Sequence, residues 1–69
     1  MKFLTAGRIK DLMVEKEISQ QKLAGSLGVT QGMVSAWVRG EKQPSLENLW
    51  KLADFFKVDI DYIVGRKEF

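Results

Sequence analysis

The 69 residues suffice for one small domain, and 45% of them are hydrophobic, enough to attempt a core without cysteine, which is absent. With neither Cys nor His, the chain has no residues for a conventional zinc, haem or iron–sulfur site, for a Cys or Ser–His nucleophile, or for a histidine general base. Eleven Lys and Arg against nine Asp and Glu leave a net charge of +2, too small to name a partner, while 29% charged residues and a single Pro are unlike a disordered composition.

No apolar run approaches the ~20 residues of a membrane-crossing helix. Met1–Leu4 is too short an apolar start for a signal peptide. A soluble cytoplasmic domain is expected, without cofactor or metal.

The elements follow one another with clear punctuation. Thr5 is placed to cap a first helix over 6–16, with Ile9, Leu12 and Met13 on one face. Ser19 caps a second over 20–27, with Leu23, Ala24 and Leu27 inward and Gly28 at its end. Thr30 caps a third over 31–39, whose apolar stripe is Val34, Trp37 and Val38, and Gly40 closes it. After Pro44, Ser45 caps a fourth over 46–56, with Leu46, Leu49, Trp50, Ala53 and Phe56 at helical spacing. Asp59 caps a short fifth over 60–64, with Ile60, Ile63 and Val64 inward and Gly65 at its end. Val58 to Val64 is the best strand candidate, but Asp59 and Asp61 weaken it. The expected fold is all-α: a compact bundle of five short helices forming one domain over 1–69.

The second and third helices carry the functional signal. A turn of a few residues around Gly28 forces them to cross steeply, with small Ala24 at the crossing, Gly28 supplying a positive φ and Val29 plugging the turn. This is the arrangement of a helix-turn-helix, over about 20–39. Charge agrees weakly: residues 19–45 carry Lys22, Arg39 and Lys42 against Glu41, whereas 46–61 carry two Lys against Glu47, Asp54, Asp59 and Asp61. A plain solvated surface accounts for the same counts.

Ser19-Gln20-Gln21-Lys22-Leu23-Ala24, Leu27-Gly28-Val29-Thr30-Gln31 and Val34-Ser35-Ala36-Trp37 together resemble the helix-turn-helix of the Cro/phage-repressor (xenobiotic-response-element) family. Arg39-Gly40-Glu41-Lys42-Gln43-Pro44-Ser45-Leu46 resembles that family's R-G-x-x-x-P-S-L connection, and Leu49–Ala53 and Val58–Gly65 resemble its last two helices. The resemblance spans 7–65 and implies a lambda-repressor-like, sequence-specific binder of double-stranded DNA. Its third helix would enter the major groove and the start of its second would meet the backbone.

The outward face of the third helix supplies the base-reading candidates. Gln31 can read adenine, Ser35 several base edges, and Ala36 a thymine methyl. Gly32 either admits a close approach of backbone to DNA or marks a weakly helical first turn. Met33 stands between groove edge and core. Backbone candidates are Gln20, whose helix N-terminus favours a phosphate, with Thr30, Arg39, Lys42 and Gln43; Lys22 and Lys10 are weaker. The bland alternatives are a plain helix start for Gln20 and a solvated loop for Arg39, Lys42 and Gln43.

Two positions depart from the family together. It commonly has Arg where this chain has Met13, and Glu where it has Val38. Replacing both members of a buried ion pair with apolar groups keeps the architecture, whereas losing one strands a charge. Met13 and Val38 are therefore expected to touch.

The resemblance implies a transcriptional regulator, a repressor more often than an activator, binding an inverted-repeat operator as a homodimer. Trp50, Phe55, Tyr62 and Phe69 either help pair two copies or simply cover a small core. The alternative function is a protein-interaction module with weak DNA binding. Asp59 and Asp61 are not accompanied by a nucleophile–base pair or metal set, so an enzyme is not expected. The ending Asp61–Gly65 resembles the point where many family repressors continue into a second domain.

Overall fold

The computed structural model describes residues 3–68. Five helices follow in order: α1 Thr5–Glu15, α2 Gln20–Leu27, α3 Gln31–Val38, α4 Leu46–Phe56 and α5 Ile60–Val64. Among the described residues there is no strand, the 58–64 segment included. No helix among them is long and apolar enough to cross a membrane.

Three of the expected caps form. The hydroxyls of Ser19, Thr30 and Ser45 accept from the N–H groups of Lys22, Met33 and Asn48, each at 3.1 Å. Each cap satisfies one donor that helix geometry leaves free, which fixes the starts of α2, α3 and α4 where the sequence puts them. Asp59 holds the N-cap position of α5 but makes no side-chain cap bond; its carboxylate pairs with Lys67 instead.

Thr5 does not cap α1. Leu4 is the N-cap: its carbonyl accepts from Arg8 N–H at 3.0 Å, and its own N–H bonds Val64 O at 3.1 Å. This tie to α5 draws the chain inward one residue early and buries Thr5 in the first turn, 1% exposed, with Oγ1 unpartnered among the described residues.

The core is continuous across all five helices: Ile9, Leu12 and Met13; Leu23, Ala24 and Leu27; Val34 and Trp37; Leu52 and Phe56; and Ile63. The α4 stripe differs from expectation. Leu46 and Trp50 are exposed, 73% and 64%, whereas Leu52 is fully buried with Leu49 and Ala53 beside it. Two apolar faces were available on this helix, and packing against α2 and α5 selects the one centred on Leu52.

α2 and α3 make the most intimate helix pair. Gly28 stands at φ +74°, and Val29 N–H turns back to Ala24 O at 3.0 Å while its side chain packs on the core. Met13 is buried and Val38 half-buried, and with Ile18 both line one shallow hollow. At the opposite edge, Arg8 lies 4.3 Å over the Tyr62 ring and donates from Nη1 to the carbonyls of Tyr62 and Lys67, each at 3.0 Å. Tyr62 is thereby half-covered. Phe55 packs edge-on to Phe56, centroids 5.0 Å apart, and Phe69 lies outside the described residues.

Candidate nucleic-acid interface

The interface is built on α3, whose Val34 and Trp37 are locked into the core. With 3.6 residues per turn, fixing those two turns Gln31, Gly32, Ser35, Ala36 and Arg39 to the opposite side. Gln31 and Gly32 are exposed; Ser35 and Ala36 are half-exposed. Thus the four base-reading candidates share one outward face. Met33 is not on it: its sulfur receives Asn48 Nδ2 at 3.8 Å, so the side chain leans toward the start of α4.

Gly32 is not required by the fold. A Cβ built there meets only Thr30 Oγ1, at 3.9 Å, and its φ is not positive. Glycine inside a helix costs about 1 kcal/mol relative to alanine, and nothing in the chain's own packing offsets that cost.

The backbone candidates differ in how free they are. Gln20 is the first residue of α2, half-exposed, beyond the single N–H that Ser19 satisfies. Thr30 Oγ1 is engaged as an acceptor from Met33 N–H, which leaves its proton and one lone pair for an outside partner. Lys42 and Gln43 are exposed on the connection after α3. That connection folds back onto the helix end, where Ala36 O accepts from Glu41 N–H at 2.9 Å and Lys42 N–H at 3.4 Å.

Arg39 is committed within the chain. Nε and Nη2 donate to the two carboxylate oxygens of Glu41 at 3.0 and 2.9 Å, and Nη1 donates to Ser35 Oγ. Hydrogen bonding first, then charge attraction, holds the Glu41 carboxyl below its usual range and raises Arg39 further. The sequence counted Glu41 only as an acid diluting the basic segment. The available signal was its place two residues after Arg39, across a glycine.

A family model described as helix-turn-helix matches residues 9–63. The cryptic phage CTXphi transcriptional repressor RstR of Vibrio cholerae is 35% identical over 63 residues, covering 91% of this chain and 57% of that protein. The P22 c2 repressor, solved in complex with a synthetic operator, has a TM-score of 0.86 at 28% identity, covering 91% of this chain and 96% of that one. A transcriptional regulator from Listeria innocua has a TM-score of 0.89 at 29% identity, covering 94% and 61%. The chain spans about half the length of the curated relatives it matches.

Proposed function

The chain belongs to the helix-turn-helix family of the Cro and phage-repressor type, and from that premise we propose that it is a sequence-specific DNA-binding transcriptional regulator, a repressor, acting in the cytoplasm on the nucleoid. The observation that carries the proposal is the outward face of α3, backed by Val34 and Trp37, in a chain whose fold matches that of an operator-bound repressor. In this function α3 enters the major groove, with Gln31, Ser35 and Ala36 toward base edges. Gly32 lets the α3 backbone come close to the DNA. Gln20, Thr30, Lys42 and Gln43 meet the phosphates, the start of α2 offering its free N–H groups, and Arg39 joins them by exchanging the Glu41 carboxylate for a phosphate oxygen.

Two copies bind an inverted repeat. One module of this size covers too little DNA for high specificity. Its longest dimension is 28 Å, so two neighbouring copies can present α3 to successive major-groove faces, about 34 Å apart. The exposed Leu46 and Trp50 supply apolar surface for such pairing, with Glu47 and Lys51 beside them as complementary charges.

Selection of bound duplexes from a randomised pool at near-physiological salt tests the proposal. An enriched inverted repeat with half-sites one turn apart is expected; an unenriched pool overturns specific reading by this chain. A protein-interaction module is the second reading, favoured by the neutralisation of Arg39 by Glu41. It predicts DNA binding that is weak at every sequence.

A further inference from the structure

Lys22, Arg39 and Lys42 are the cations between residues 19 and 45. Lys22 and Lys42 are exposed and form no ion pair among the described residues, whereas Arg39 is held by an acid of its own chain. Nε donates to Glu41 Oε2 at 3.0 Å and Nη2 to Oε1 at 2.9 Å, so both carboxylate oxygens lie along one edge of the guanidinium. Arginine binds carboxylate and phosphate through the same two-pronged edge. The edge that Glu41 occupies is thus one that a DNA phosphate would take. The backbone brings the acid there. Gly40, at φ +75°, turns the chain at the end of α3, and Glu41 N–H then bonds Ala36 O at 2.9 Å.

We propose that Glu41 is a built-in competitor for phosphate: it occupies the phosphate-binding edge of Arg39 in the free protein and so limits how tightly the chain holds DNA. This rests on the DNA-binding function proposed above and adds a brake to it. Each bound copy breaks one arginine–carboxylate pair to make one arginine–phosphate pair, and the gain from the phosphate is reduced by the pair that is lost. Both side chains are more than half exposed, 54% and 58%, which keeps that pair weak enough to exchange. The brake acts on a backbone contact, so it lowers affinity without carrying base information.

The test is a cycle of four full chains: wild type, Glu41→Gln, Arg39→Gln and Arg39→Gln/Glu41→Gln. Each is titrated at one fixed salt against the operator that the wild type selects. Both positions lie outside the core, and thermal denaturation verifies that all four chains are folded. Glu41→Gln should tighten binding, because Arg39 no longer has a pair to break. Removing an acid near DNA also relieves plain repulsion of the phosphates, and Arg39→Gln isolates that part. The gain from Glu41→Gln should therefore be larger beside Arg39 than beside Gln at position 39, by about 1.5-fold to fivefold per bound copy, the worth of an exposed ion pair. Equal gains in the two backgrounds would mean that Glu41 acts by repulsion alone or that the pair persists on DNA, and overturn the proposal. Selection repeated with Glu41→Gln should return the same half-site. A changed preference at one position would mean that Glu41 accepts from a base, as a carboxylate does from cytosine N4, and overturns the proposal as well. An unenriched wild-type pool overturns the DNA-reading function itself, whereas an enriched pool with equal gains overturns only this inference.

Discussion

Thr5 Oγ1 is buried without a hydrogen-bond partner among the described residues, so its hydroxyl carries a desolvation cost that none of them recovers. Thr5→Val keeps the shape and removes the cost; thermal denaturation should show a gain of about 1 kcal/mol, and a loss would mean that the hydroxyl is bonded after all. Gly65 is the opposite case. It stands at φ +99°, and a Cβ there would lie 2.7 Å from Leu4 Cγ. Gly65→Ala should therefore cost about 2 kcal/mol in the same measurement. These residues show what local reading can reach. Ser19, Thr30 and Ser45 were legible because an N-cap bond spans only three residues. Thr5 gives the same local signal, but the bond from Leu4 to Val64 overrides it from the far end of the chain. Glu17 and Lys57, at φ 53° and 58°, take left-handed positions at helix ends with no glycine to announce them.

Among the elements, α3 and α4 behave differently. α3 was legible because Val34 and Trp37 leave one possible inward side, and hence one outward side. On that side Gly32→Ala should raise stability by about 1 kcal/mol, since the added methyl meets ordinary contact distance only. If the α3 backbone approaches DNA closely, the same variant should bind the selected operator at least tenfold more weakly. A more stable variant with unchanged binding would remove that role from Gly32. In α4 the spacing alone allowed two stripes, and the choice between them came from neighbouring helices. Leu52→Ala should cost about 2–5 kcal/mol as a core truncation, whereas Leu46→Ala should stay within about 0.5 kcal/mol, both read by chemical denaturation.

For the whole molecule, the helix count came from caps and stripes, but how the helices assemble came from the resemblance carried by residues 7–65. The reading face was legible as a set of positions. The Arg39–Glu41–Ser35 arrangement was not, because the rotamers of long exposed side chains leave no periodic trace. If two copies bind one operator, lengthening the spacer by about half a helical turn should abolish paired binding, and a full added turn should restore part of it. A mobility-shift series on such spacers would read this directly; indifference to spacing would mean independent copies. The placement of the two tryptophans has an optical consequence. Trp37 is shut behind α3 while Trp50 stands in water on α4, so their emission differs in colour and in access to a dissolved quencher. Trp37→Phe and Trp50→Phe would each leave a single lamp, one behind the helix that meets DNA and one on the flank where a second copy could settle. Watching the two separately would time DNA capture and pairing as independent events in an unlabelled protein.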